Sequence, residues 1–124
     1  MKKTYKFFNK IYLNQKEVKE ITYDFEEVTV DGITRALNQL DYAPGMQYTP
    51  VTDPNYHRAV MIMAVCAVNP EVDPMELRAE LKGSDAFAFE SLGVDFLVSL
   101  ASKLSQQENS ENLQETSQGS TTQA

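Results

Sequence analysis

DPNYHRAVMIMAVCAV, residues 53–68, holds the element around which the rest of the chain has to be arranged: a helix-start signal opens onto a nearly unbroken apolar run in an otherwise polar chain. Asp53 is suited to accept a backbone N–H as N-cap, and Pro54 fits the first helical position, where an amide donor has no intrahelical partner. Asn69-Pro70 ends the run. From Ala59 to Val68 apolar atoms lie on every side of a 3.6-residue spiral, so a single buried face does not account for them. The helix is wrapped either by its own chain or by a partner, and function turns on which.

A length of 124 residues fits one domain able to bury a core without metal or disulfide staples. The one cysteine, Cys66, lies inside the apolar run, so it reads as a small hydrophobe in a reducing compartment. Met1-Lys2-Lys3 imitates a signal-peptide start, but Lys6, Asn9 and Lys10 interrupt the apolar segment behind it, so no export is expected. The ten apolar residues of 59–68 fall short of a bilayer span, so no membrane partner is expected. A net charge of −7 argues against nucleic acid as a partner. The charge is uneven: residues 1–20 hold six lysines against two glutamates, whereas residues 21–104 hold five basic side chains against thirteen carboxylates. Attraction between the basic head of one copy and the acidic body of another is one reading. A solvated strand face whose lysines deter edge pairing is the preferred one.

Outward from the apolar run, the head alternates with period two. Tyr5, Phe7, Ile11 and Leu13 point one way and Lys6, Phe8, Lys10 and Tyr12 the other; Ile21, Tyr23 and Phe25 repeat the habit, predicting a hairpin over 4–25 that turns at Asn14-Gln15 without glycine. Val30, Ile33, Leu37 and Leu40 switch to helical spacing, with Thr29 or Asp31 as cap, predicting a helix over about 30–41. Residues 42–52 form a Pro- and Gly-containing loop. After the helix of 53–68, Asp73-Pro74-Met75-Glu76 repeats the start signal for a helix over 73–82, with Glu76 placed to bond back to the cap residue's amide. Ser84 or Asp85 caps a last helix, 84–104, on which Phe89, Leu92, Phe96, Leu100 and Leu104 form a stripe. Residues 105–124 contain one sizeable apolar side chain, Leu113, and are expected to be a disordered polar tail, because ordering costs about 1–2 kcal/mol per residue. The fold class is therefore α+β: a hairpin followed by about four helices in one domain, 1–104.

No catalytic constellation emerges. His57 is the only histidine and sits in the first turn of the apolar helix; one His and one Cys nine residues apart match no metal spacing. The glycines are isolated, so no phosphate-cradling loop is present. Asp53, Asp73 and Asp85 are explained as caps. Neither enzyme activity nor a cofactor or metal is expected. Met46, Met61, Met63 and Met75 suit an adaptable partner groove, and Met61, Met63, Phe87, Phe89 and Phe96 are the candidate partner-binding residues.

A basic hairpin, then Tyr23-Asp24-Phe25-Glu26-Glu27-Val28-Thr29 leading into a short helix, then Asp53-Pro54-Asn55-Tyr56-His57-Arg58-Ala59-Val60 opening an apolar helix, then a short Asp-Pro-Met-Glu-Leu helix, then Asp85 and a helix reaching Phe96-Leu97, resembles the tail assembly chaperones of long-tailed bacteriophages. The resemblance covers residues 5–104. It implies a non-catalytic, self-associating protein of the host cytoplasm that binds the tape measure protein, helps recruit tail tube protein, and is not retained in the mature virion. It also implies a longer product made by frameshifting near the end of the shared domain. Two alternatives are an acidic inhibitor imitating nucleic acid and a structural tail-completion protein.

Overall fold

The computed structural model describes residues 1–38 and 53–117; the predicted loop of 42–52, with Met46, lies outside the described residues. Two compact units are present, residues 1–94 and 95–124. The first contains strands β1 (Lys3–Leu13) and β2 (Lys16–Tyr23), a 3-10 turn at Phe25–Glu27, and helices α1 (Val30–Asn38), α2 (Pro54–Val68) and α3 (Pro74–Glu80). It also contains the start of α4 (Gly83–Ser117), whose remainder belongs to the second unit. The α+β architecture is the predicted one: an antiparallel hairpin followed by four helices.

The hairpin turns on Asn14 and Gln15, both in the left-handed region at φ 54° and 64°. Two such residues give a turn whose twist matches the strands, a role usually filled by Asn-Gly. Here α3 holds the turn instead: the Glu76 carboxylate accepts from the Asn14 N–H at 3.2 Å, and Asn14 Nδ2 donates to the Glu71 carbonyl. Glu76 is thus spent on the hairpin and not on the predicted bond back to its own cap. The strand also ends earlier than predicted. Phe25 enters a 3-10 turn because Asp24 caps it, accepting from the Glu26 N–H, while the Asp24 N–H donates to the Ala64 carbonyl of α2.

Helix boundaries follow the capping logic. Asp53 accepts from the Asn55 N–H and Asp73 from the Met75 N–H, each before a proline at the first helical position. Of the two candidate caps for α1, Thr29 serves, its hydroxyl accepting from the Gly32 N–H at 3.1 Å. Asn69 ends α2 and does more: its side chain donates to the Val65 carbonyl and, at 2.8 Å, to the Thr22 carbonyl of β2. The predicted end of the last helix at 104 moves to Ser117. The added residues include Gln, Glu and Leu, which favour the helix, and extending an existing helix is easier than nucleating one. Residues 118–124 lie outside the described residues.

The core of the first unit sits between the inner face of the hairpin and the helices. Ile11, Leu13, Ile21 and Tyr23 meet Met61, Ile62 and Val65 of α2, with Leu77 of α3 and Phe89 of α4 completing it. Seven consecutive α2 residues, Ala59 to Val65, are buried. The apolar helix is therefore wrapped by its own chain. Where α4 crosses α2, Gly93 lies so close to the His57 backbone that a Cβ there would overlap the His57 carbonyl. Gly93→Ala is expected to destabilise the protein by about 1–3 kcal/mol through overpacking against backbone that has nowhere to move, read as a lower thermal midpoint with an unchanged helical spectrum.

Candidate interaction surface and the Asp85 knot

Burial redistributes the predicted partner residues. Met61 and Phe89 are 0% exposed, and Met63 is also buried, so none of the three is available to a partner in this fold. The reason is packing: the middle of α2, Ala59 to Val65, is covered by hairpin and helices, and Phe89 stacks into an aromatic cluster, its ring centroid 5.2 Å from Tyr5 and 6.3 Å from Phe7. Phe96 is half-buried in the second unit. Phe87 alone of the five is fully at the surface, 72% exposed.

Asp85 is not a helix cap. It lies in the first turn of α4, fully buried, and its carboxylate reaches into β1. Oδ1 accepts from the Tyr5 hydroxyl at 2.7 Å and the Phe8 N–H at 2.8 Å; Oδ2 accepts from the Asn9 N–H at 2.9 Å and from Asn9 Nδ2 at 3.0 Å. Phe8 and Asn9 sit where the strand register breaks, between the pairs Lys6↔Glu20 and Ile11↔Val18, and Tyr5 is paired with Ile21 just before the break. A bulge of this kind strips backbone amides of ladder partners, and a buried unpaired amide costs about 1–3 kcal/mol. Burial works to raise the Asp85 pKa, but the hydrogen bonds from Phe8, Tyr5 and Asn9 outweigh it and hold the carboxyl below its usual range. The same geometry pushes the Tyr5 phenol up, first by burial and then by the bond to Asp85.

The knot places two aromatic side chains at the surface. Phe8, whose amide is bonded to Asp85, is 75% exposed, and Phe87 comes two residues after Asp85 in α4. Along β1, Lys6, Lys10 and Tyr12 share the outward face with Phe8. Further along the strand, the Glu80 carboxylate accepts from the Tyr12 N–H at 2.8 Å. Carboxylates of α3 and α4 thus occupy the edge of β1 that does not pair with β2, and the free surface there is the outward face. Sequence alternation assigns Phe8 to this face; nothing in it distinguishes Phe8 as one of the two most exposed phenylalanines.

Two other reactive groups of the described residues, His57 and Cys66, are set in the core or at its edge. His57 is buried at the α2–α4 crossing. Burial, reinforced by the Asp73 and Glu71 carboxylates, pushes the Cys66 thiol up to about 11, which leaves little thiolate near neutrality. Among the described residues no group of three or more potential ligands is placed to hold a metal ion, and no helix is long and apolar enough to cross a membrane. Comparison with family models, with curated proteins and with solved structures yields no match.

Two expectations test this site. Asp85→Asn is expected to cost about 2–4 kcal/mol at neutral pH, because bonds to an ionised acceptor are lost and an amide donor is turned toward donors. A carboxyl held below its unfolded pKa of about 3.9 stabilises the fold above that pH and ceases to as the pH falls through the folded value. The gap between wild type and Asp85→Asn, measured by urea unfolding, should therefore close on acidification below about pH 4. Cys66 should alkylate with iodoacetamide near neutral pH far more slowly than free cysteine, measured by mass spectrometry on the folded protein.

Proposed function

We propose that this chain is a non-catalytic tail assembly chaperone of a long-tailed bacteriophage, which acts in the host cytoplasm, binds the tape measure protein, helps recruit tail tube protein around it, and leaves before the virion matures. The order of elements supports the reading: a basic hairpin, a short helix, an apolar helix opened by Asp53-Pro54, a short helix opened by Asp73-Pro74, and a long last helix. One observation carries it. The core of the first unit is closed, yet Phe8 and Phe87 stand exposed on either side of the Asp85 knot. Exposed aromatics beside one buried, rigid junction suit a client-binding surface, since each buries about 150–250 Å² on contact and loses little side-chain entropy.

This reading moves the client surface from α2 to the outward face of β1 and the start of α4. The client is an elongated chain with apolar segments, bound against Phe8, Tyr12 and Phe87 and steered by Lys6 and Lys10. Self-association of the chaperone belongs to the same proposal and uses other faces. The competing acidic inhibitor would bind through charge alone, with binding that collapses as salt rises.

The test is co-expression with tape measure fragments. Phe8→Asp with Phe87→Asp is expected to leave the fold intact, because both side chains are at the surface, and to weaken capture by at least about tenfold, since one aromatic hot spot is worth about 2 kcal/mol or more. Unchanged capture would remove this surface from the proposal. Capture that survives about 0.5 M salt would separate it from the acidic inhibitor, for charge pairing is screened within about 4 Å there.

A further inference from the structure

Two of the chain's three arginines line one cleft. Arg58 of α2 and Arg78 of α3 face a cavity of about 230 Å³ whose apolar wall is Ala59, Ile62, Leu81 and Ala86. The Arg58 guanidinium is held from two directions: Nη1 donates to Glu90 of α4 at 2.8 Å, and Nη2 donates to Asn55 Oδ1. A guanidinium has five donor hydrogens, so fixing it through two leaves others to a ligand without further ordering. Arg78 is exposed and, among the described residues, forms no ion pair. The result is a cationic spot with an apolar wall on a body in which carboxylates outnumber basic residues thirteen to five between 21 and 104.

The geometry points to a docking site for a protein segment that carries an aspartate or glutamate next to a branched apolar residue: the carboxylate pairs with Arg78 and the pre-set Arg58, and the apolar side chain fills the cleft against Ile62 and Leu81. Size favours a side chain over a small metabolite, whose pockets run to about 300–1,000 Å³. Charge favours a single carboxylate over a nucleic-acid backbone. Glu90 already offsets Arg58, leaving one net positive charge, while the whole chain at −7 repels a polyanion. The inference rests on the reading of this protein as a binder of a protein client and names the chemistry of one client segment; Phe87, one residue beyond Ala86, joins it to the exposed aromatic surface.

The test uses the full chain, immobilised, to select from a displayed library of random peptides, followed by titration of a synthesised winner into isotope-labelled protein. Selected peptides are expected to be enriched in Asp or Glu adjacent to Leu, Ile, Val or Met. Arg78→Gln, a surface change that leaves the core untouched, should weaken the winner by about tenfold or more, as should replacing its acid by the amide. Backbone amide shifts should concentrate at residues 55–59, 78 and 86. Recovery of no peptide, absence of acidic enrichment, equal affinity for the amide form, or shifts confined to the outward face of β1 would each overturn the inference, and so would displacement of the peptide by oligothymidylate at matched salt. Peptide selection does not involve the tape measure protein, so a tape measure fragment that fails to bind would remove the proposed function and leave these outcomes standing.

Discussion

The buried carboxylate of Asp85 holds the first unit together. The break in register leaves the amides of Phe8 and Asn9, both part-buried, without a partner across the hairpin. A single ionised side chain accepts both amides, together with the Tyr5 hydroxyl and the Asn9 amide. The arrangement is favourable for the helix as well, because a negative charge in the first turn of α4 lies at the positive end of its dipole. One residue therefore locks the hairpin to the helix layer, and the aromatic packing of Tyr5, Phe7 and Phe89 is built around that lock.

The same logic explains where the acid in this chain goes. Glu80 and Glu76 take the Tyr12 and Asn14 amides as Asp85 takes those of Phe8 and Asn9, so the unpaired edge of β1 is occupied by carboxylates from α3 and α4. A strand edge left open is a template for pairing with another chain. Acidic helices laid against a basic hairpin cover that edge within one molecule. Part of the acid of the body thus has an intramolecular role, as acceptor for backbone amides of the hairpin.

With α2 sealed, interaction falls to the features that remain outside: Phe8 and Tyr12 beside lysines on the hairpin, Phe87 at the start of α4, and the cleft of Arg58 and Arg78. These features lie on strand β1 and on helices α2, α3 and α4, regular elements on which binding residues lose little freedom on contact. The proposed client-binding role needs a fold that stays closed while it offers adhesive side chains. The distribution here has that character, because the apolar residues of α2 stabilise the domain and the exposed aromatics are held by backbone fixed through Asp85.

The list of elements was legible in the chain before any folding was considered. Alternation set the hairpin, Asp-Pro signals set the starts of α2 and α3, and the unbroken apolar run of 59–68 called for a helix wrapped by its own chain or by a partner, because these are local rules of period and capping; burial holds from Ala59 to Val65, and Ala67 is exposed. Gly93 looked like any isolated glycine, Asp85 like a cap, and Glu76 like half of a capping box, since nothing local reveals which distant backbone a side chain will meet. It took the three-dimensional arrangement to establish that α2 is covered by its own chain, that Asp85 serves a strand some eighty residues away, and that Phe8 and Phe87 remain outside. The physical reason is that burial and hydrogen-bond pairing are properties of where segments meet in space, and a break in strand register announces itself in no single residue.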